Sequence, residues 1–90
     1  MQYDDAVYTE HAQIKMARRD ITSDQVRSVL LGPDSDHLVR PGRRVIQGRI
    51  PWGNPPRMYL LRVFLDVDRR PAEIVTVYLT GKFAKYEAKS

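Results

Sequence analysis

The sequence ITSDQVRSVLLGP, residues 21–33, contains both the start and the end of an amphipathic helix. Thr22 and Gln25 form a capping box, in which each side chain can pair with the backbone amide of the other residue. Ile21 and Val26 flank this box as a hydrophobic staple. The apolar positions share one face of the helix, and they are Val26, Val29 and Leu30. Gly32-Pro33 predicts a left-handed stop, followed by a residue that cannot continue a helix.

A shorter set of signals predicts another helix upstream of this stretch. Thr9 is a candidate N-cap, and Glu10 places a negative charge in the first turn, where the helix dipole favours it. The helix is expected to run to about Arg19. The first third of the chain therefore predicts two consecutive helices.

Downstream of Asp36 the apolar residues alternate with polar ones, which is typical of strands. The predicted strands cover residues 37–40, 43–50, 58–67 and 72–80, with a turn at Pro41-Gly42, a stiff loop at 51–56 and a turn at 66–71. Residues 81–90 form a basic C-terminal tail without a predicted structure. The order predicts an α+β fold, with two N-terminal helices packed on one face of an antiparallel sheet of three to four strands.

The alternation also sorts the side chains of the last two strands between the two faces of the sheet. The residues expected to meet the helices are Leu61, Val63, Leu65, Val75, Val77 and Leu79. The opposite face then carries Leu60, Arg62, Phe64, Ile74, Thr76, Tyr78 and Thr80. Because this second face mixes polar and apolar groups, it is the place where we expect a functional site.

Length and composition indicate one small basic domain, covering residues 1–90. Lysine and arginine number 15 against 11 acidic residues, which gives a net charge of +4 and a pI near 9.7. Such a charge balance favours RNA or another polyanion as a partner. No cysteine is present, the start of the chain lacks the pattern of a signal peptide, and no apolar run is long enough for a membrane helix. We therefore expect a cytoplasmic protein without a membrane partner.

The first helix carries a basic stripe made of His11, Lys15, Arg18 and Arg19. At about 100° per residue these side chains share one face, where a bound phosphate would relieve their mutual repulsion. A solvated outer face explains the same pattern equally well. His11 can exchange a proton near neutral pH, although a histidine in a first turn is more often a surface or capping residue.

Arg62 lies in the middle of a strand, and arginine is rarely fully buried unless it is paired. It can pair with a carboxylate, or it can bind a phosphate through its planar fork. Tyr78 can stack on a base, donate a hydrogen bond or simply pack. Thr76 and Thr80, on the same face, fit either ordinary strand positions or polar contacts to a ligand.

The start of the tail interleaves cations with aromatic rings, in the order Lys82, Phe83, Ala84, Lys85 and Tyr86. Single-stranded nucleic acids are bound by such a combination, since cations follow the phosphates and aromatic faces stack on bases. A frayed basic terminus has the same composition. Arg43 and Arg44 add charge along the second strand.

Motifs for nucleotide cradles and for zinc sites are missing from the sequence, and its acidic residues are scattered. We therefore expect neither a cofactor nor a metal site. Any catalysis is expected to be metal-independent.

Several segments together resemble a widespread bacterial domain family of unknown function. They are Tyr8-Thr9-Glu10-His11-Ala12, Lys15 to Thr22, Gly42 to Gly48, Leu61-Arg62-Val63, Ile74 to Thr80, and Lys85-Tyr86. The segment Trp52 to Pro56 departs from the short hairpin usual in that family. The resemblance implies the fold shared by barnase, EndoU, colicin nucleases and RelE-type toxins. Many proteins on that fold cut RNA without a metal ion, and several are toxins of toxin–antitoxin pairs.

The leading hypothesis is a metal-independent endoribonuclease that acts as such a toxin and is controlled by an acidic antitoxin. In the expected reaction a ribose 2′-oxygen attacks its own phosphate, with His11 or Tyr78 handling protons and Arg62 and Lys85 stabilising the added charge. The side chains expected to hold the rest of the RNA are Lys15, Arg18, Arg19, Arg43, Arg44, Thr76, Thr80, Lys82 and Tyr86. The alternatives are a non-catalytic RNA-binding module and a protein-interaction module on the same fold.

Overall fold

The computed structural model of the protein describes residues 3–87. In chain order its elements are β1 (Val7–Tyr8), α1 (Glu10–Arg19), α2 (Ser23–Leu31), β2 (Ser35–Arg40), β3 (Arg43–Trp52), β4 (Arg57–Asp66), β5 (Glu73–Thr80) and α3 (Phe83–Glu87). The α+β class predicted from the sequence is confirmed. Within residues 3–87, no helix is long and apolar enough to span a membrane. Residues 1–2 of the acidic start and 88–90 of the predicted tail lie outside the described residues.

The two N-terminal helices begin where the local signals predicted. The Thr9 hydroxyl accepts a hydrogen bond from the Ala12 amide, and the Thr22–Gln25 capping box is complete, with distances of 3.1 and 2.9 Å. Both helices also end where predicted, α1 at Arg19 and α2 just before Gly32, but the backbone conformation at the ends differs from the prediction. Gly32 has a φ of −137°, so the left-handed stop predicted there is wrong. The left-handed residue is Asp20, with a φ of 53°, because the chain must reverse within three residues between α1 and α2.

The sheet has five strands in the order β1-β5-β4-β3-β2. Strands β2 to β5 form an antiparallel meander, as predicted, but β1 pairs in parallel with β5 at the edge. The sheet is therefore mixed, and the prediction of three to four antiparallel strands was too simple. With only two residues, β1 has no alternation of its own that a sequence pattern could reveal.

The main core lies between the helices and one face of the sheet. It contains Leu61, Val63, Leu65 and Val77, and Leu79 packs against it, all as predicted. Val75 does not, because Leu65 pairs with Ile74 while Phe64 pairs with Thr76. This irregularity leaves Val75 as an extra residue, which shifts the alternation, so that Ile74 enters the core and the prediction for both residues is wrong.

The helix side of β3 is identified by Gly48, where an added Cβ would come within 3.6 Å of the Val29 side chain in α2. Even-numbered residues of β3 therefore face the helices, and odd-numbered residues face away from them. β3 continues to Trp52, whose indole nitrogen donates a hydrogen bond to the Arg19 carbonyl at 2.9 Å. The loop predicted at 51–56 is accordingly shortened to a turn at 53–56.

The second face of the sheet is only partly open to water. Val45 and Leu60 lie on it and are 2% and 0% exposed, although neither belongs to the core under α1 and α2. The tail, which had no predicted structure, forms the short helix α3, and α3 lies across this face. The side chains around α3 form the candidate site.

Candidate active site

A row of three side chains crosses the second face of the sheet. Gln47 in β3 is paired in register with Arg62 in β4, which in turn is paired with Tyr78 in β5. Residues in register on neighbouring strands project from the same face, with Cβ atoms about 4.5–5.5 Å apart. The register therefore gathers an amide, a guanidinium and a phenol in one line.

Gln47 connects this row to α3. Its side chain is 1% exposed, yet both of its polar atoms are bonded: Oε1 accepts a hydrogen bond from Arg62 Nε at 2.8 Å, and Nε2 donates one to the Tyr86 carbonyl at 2.9 Å. A buried amide is costly unless it is satisfied in this way. Gln47 thus fixes both the orientation of Arg62 and the position of the last turn of α3.

Arg62 lies between the sheet and the aromatic ring of Tyr86. Its guanidinium carbon is 4.1 Å from the centre of the Tyr86 ring and 5.3 Å from that of Phe64. Contact with aromatic faces stabilises a cation that has lost part of its water. Burial lowers the pKa of Arg62, while Tyr86 and Tyr78 act in the opposite direction. Arginine remains charged in proteins, so the site keeps a partly desolvated positive charge.

The phenol of Tyr86 is surrounded by groups that favour its ionised form. The neighbouring Tyr78 phenol lowers the pKa of Tyr86, and Lys85 and Arg62 lower it further, against a smaller opposing effect of burial. The rings of Tyr78 and Tyr86 meet edge to face, with their centres 5.9 Å apart. The Lys85 ammonium nitrogen lies 5.3 Å from the centre of the Tyr86 ring. Tyr86 therefore loses its proton more readily than an ordinary tyrosine, and its phenolate form can act as a base.

A second arginine, Arg49, lies on the same face and also contacts α3. Its guanidinium carbon is 4.2 Å from the centre of the Phe83 ring. Its Nε and Nη2 donate hydrogen bonds to the two carboxylate oxygens of Glu87, at 3.0 and 2.6 Å. This fork raises the pKa of Arg49 and lowers that of Glu87.

Four residues singled out in the sequence come together around α3, and they are Arg62, Tyr78, Lys85 and Tyr86. We call them the Arg62 cluster. Thr76 and Thr80 occupy the same face by register, but Thr80 is 7% exposed and its hydroxyl accepts a hydrogen bond from the Lys82 amide. Thr80 therefore stabilises the turn between β5 and α3.

The predicted basic stripe of α1 does not join the cluster. α1 buries Ala12 and Met16 in the core on the other face of the sheet. In the described part of the chain, no hydrogen bond or salt bridge connects His11 to the cluster. Lys15, Arg18 and Arg19 belong to the same helix, and their alternative interpretation as a solvated face fits this placement.

Arg43 and Arg44, both expected to hold RNA, lie on opposite faces of β3. Arg43 is on the face of the cluster, where its Nε donates to Asp66 at 2.7 Å. Arg44 is on the helix side, where its Nε donates to Asp36 at 2.7 Å. Consecutive strand residues point in opposite directions, so Arg43 shares a face with the cluster and Arg44 does not.

Gln47 and Arg49 were not among the residues expected at the site. Gln47 and Arg49 have odd numbers, as Val45 does, so the alternation of a strand places all three on the same face of β3. The sequence does not specify, however, which residue of β4 lies opposite each of them. That register depends on the turn at residues 53–56 between β3 and β4. The sequence signal for Gln47 was a polar residue within the otherwise apolar run Val45-Ile46-Gln47-Gly48.

Cavities elsewhere in the described residues do not contain the cluster. One of about 610 Å³ is lined by Arg44, Arg69 and Arg70 together with acidic side chains. Another of about 670 Å³ lies between β1 and α1 and is mostly apolar. Across residues 3–87, no group of three or more acidic or histidine side chains is arranged to hold a metal ion.

Comparisons of the chain with protein-family models, with curated proteins and with solved structures gave no match. Function must therefore be argued from the chemistry of the Arg62 cluster.

Proposed function

We propose that this protein is a metal-independent endoribonuclease whose active site is the Arg62 cluster. The observation that carries the proposal is the convergence of a partly desolvated guanidinium with a phenol of lowered pKa, whose ring centre is 4.1 Å from the guanidinium carbon. Phosphoryl transfer within RNA needs a proton acceptor and cations near the phosphate, and both are present here.

In the proposed reaction the phenolate form of Tyr86 takes the proton of a ribose 2′-hydroxyl while the 2′-oxygen forms a bond to the adjacent phosphorus. Arg62 and Lys85 stabilise the additional negative charge on the phosphate oxygens. The bond from phosphorus to the 5′-oxygen then breaks, and that oxygen takes a proton from Tyr78. The products are a 2′,3′-cyclic phosphate and a free 5′-hydroxyl.

The assignment of proton transfer to Tyr86 differs from the sequence hypothesis, in which His11 or Tyr78 had this role. Tyr86 is favoured because it contacts Arg62 directly, whereas His11 belongs to a helix packed on the other face. The resemblance to RelE-type and barnase-type proteins supports the proposal from a separate direction. It also extends it to the toxin of a toxin–antitoxin pair, with an acidic antitoxin as partner.

The test is cleavage of total RNA by the purified protein in the presence of EDTA, with detection of cyclic phosphate ends. Tyr86→Phe keeps the ring over Arg62 and removes the hydroxyl, so it should lower kcat by about 10²- to 10⁴-fold with little change in RNA binding. Tyr59→Phe is the matched control. Tyr59 packs edge to face on Trp52 with ring centres 5.3 Å apart, away from the cluster.

Intact RNA under all conditions, or a Tyr86→Phe variant as active as the wild type, would refute the proposed chemistry. The toxin role has its own readout: expression of the wild type should arrest bacterial growth, and Arg62→Ala should relieve the arrest.

A non-catalytic RNA-binding module is the second candidate. It is favoured by the aromatic rings of Tyr78, Phe83 and Tyr86, which lie among cations on one surface, an arrangement suited to stacking bases and holding phosphates. It predicts salt-dependent binding without turnover. The two candidates are separated by the cleavage assay above.

A further inference from the structure

Helix α3 is held on the sheet by the two arginines that face it. It has five residues, Phe83–Glu87, which is too short to be stable without tertiary contacts. Three of its residues point toward the sheet side: Tyr86 covers Arg62, while Phe83 and Glu87 contact Arg49. Their spacing of three and four residues places them on one side of the helix.

The contact between Arg49 and Glu87 is bidentate. A guanidinium fork offers two parallel N–H donors, and it fits a phosphate as well as it fits a carboxylate. Arg49 thus already holds a planar anion supplied by its own chain. Its side chain remains 47% exposed, so a phosphate from solution can approach it.

Arg49 lies next to the Arg62 cluster on the same face. Arg49 is paired with Leu60 and Gln47 with Arg62, so the two arginines are diagonal neighbours on adjacent strands. Diagonal positions are about 7–8 Å apart in a sheet. This spacing suits two consecutive phosphates of one extended strand of RNA.

The Arg43–Asp66 ion pair on this face is less easily opened. Asp66 is paired in register with Arg43 on the neighbouring strand, so the sheet itself holds the two together. Glu87 belongs to the last turn of a one-turn helix instead. Displacing its carboxylate requires only a side-chain movement, because α3 keeps its contacts through Phe83 to Arg49 and through Tyr86 to Arg62 and Gln47.

We infer that Arg49 is a phosphate-binding subsite beside the Arg62 cluster, and that Glu87 occupies it in the free protein. This inference rests on the proposed function only in that RNA must bind this face of the sheet. The Glu87 carboxylate competes with the phosphate of the nucleotide next to the cleaved one. RNA binding is therefore weaker than the cations alone would allow.

The test measures binding of a fluorescent 2′-O-methyl oligoribonucleotide by anisotropy, because this probe lacks the 2′-hydroxyl and cannot be cleaved. Glu87→Gln should tighten binding about two- to fivefold, the range expected when a surface ion pair no longer competes. It should also steepen the dependence of log K on log salt by about 0.7, which corresponds to one more phosphate contact on a single strand.

The control variant is Asp36→Asn. It changes the net charge by the same amount and opens the Arg44–Asp36 pair, which also involves β3 but lies on the opposite face. It should leave binding unchanged. Arg49→Gln should weaken binding in the wild type, and in the double variant it should remove the gain produced by Glu87→Gln.

Equal binding by the wild type and Glu87→Gln would overturn the inference, as would an equal gain from Asp36→Asn or a gain that survives Arg49→Gln. Absence of any binding would overturn it too. Failure of catalysis is a different outcome: unmodified RNA would stay intact while the uncleavable probe still responds to Glu87→Gln.

Discussion

Replacing Gln47 with leucine tests whether the buried amide organises the candidate site. Two hydrogen bonds are lost, one from the Arg62 guanidinium and one to the Tyr86 carbonyl. A hydrogen bond to a charged group contributes about 1.5–3 kcal/mol and one between neutral groups about 0.5–1.5 kcal/mol. Arg62 is only partly buried, so water replaces part of the first, and the leucine side chain gains some apolar burial.

The free energy of unfolding should therefore fall by about 2–3 kcal/mol. For a domain of this size that corresponds to a decrease in Tm of about 10–20 °C. The total stability expected for 90 residues is about 5–13 kcal/mol, so the variant should still fold. Urea unfolding can be followed by the fluorescence of Trp52, the single tryptophan, with an unchanged m value as the sign that the same surface is exposed.

A double-mutant cycle identifies the source of the loss. In an Arg62→Leu background the charged partner is gone, so Gln47→Leu should cost about 1–2 kcal/mol less than in the wild type. Gln13→Leu is the control, because the Gln13 amide donates to the Tyr8 carbonyl at an exposed position and should change stability by less than about 0.5 kcal/mol. If Gln47→Leu costs no more than Gln13→Leu, or the same with and without Arg62, the structural role assigned to Gln47 is wrong.

Four further outcomes are expected. Thr22→Ala removes the N-cap of α2 and should cost about 1 kcal/mol in urea unfolding, while an unchanged midpoint would show that the cap is dispensable. Gly42→Ala should cost about 1–2 kcal/mol, since Gly42 has a φ of 82°, and a stabilised variant would contradict this. The hydrogen bond from Arg43 lowers the pKa of Asp66, so its contribution is complete above the unfolded pKa of about 4 and is lost as the pH falls toward the folded value; Asp66→Asn should flatten the stability profile in that acid range, and a parallel profile would argue against the pair. His11→Ala should cleave RNA at a rate within about twofold of the wild-type rate, whereas a loss of about 10²-fold or more would show that His11 takes part in proton transfer.

The helices were predictable because their signals are local. A capping box, a staple and an apolar stripe all lie within ten residues of Ile21, and the structure contains each of them. The placement of Arg62 and Tyr78 on one face followed from the alternation within each strand, because the irregularity in the β4–β5 register lies beyond both residues. Local rules are sufficient where the interacting residues belong to one element or to one unbroken ladder.

The rest of the site depends on contacts between distant segments. The bulge at Val75 lies where Thr9, at the start of α1, donates to the Val75 carbonyl from 66 residues away. β1 forms a strand only because it can pair with the free edge of β5. Gln47 reaches the Tyr86 carbonyl for two reasons. The β3–β4 turn sets the register of β3, and α3, which has no independent stability, packs over Gln47. Propensity within a short window does not encode any of these.

The composition of the tail has a structural meaning as well as a chemical one. Because α3 cannot persist alone, Arg49, Arg62 and Gln47 must hold it in place, and in return the helix positions Tyr86 over Arg62. The arginines that would bind RNA are thus the same ones that complete the fold of the C-terminal segment. Any substitution of either arginine therefore affects folding and binding together. Variants that keep the cation and remove its partner, such as Glu87→Gln, separate the two effects most cleanly, and the Arg49→Gln and Arg62→Ala tests need a parallel measurement of unfolding.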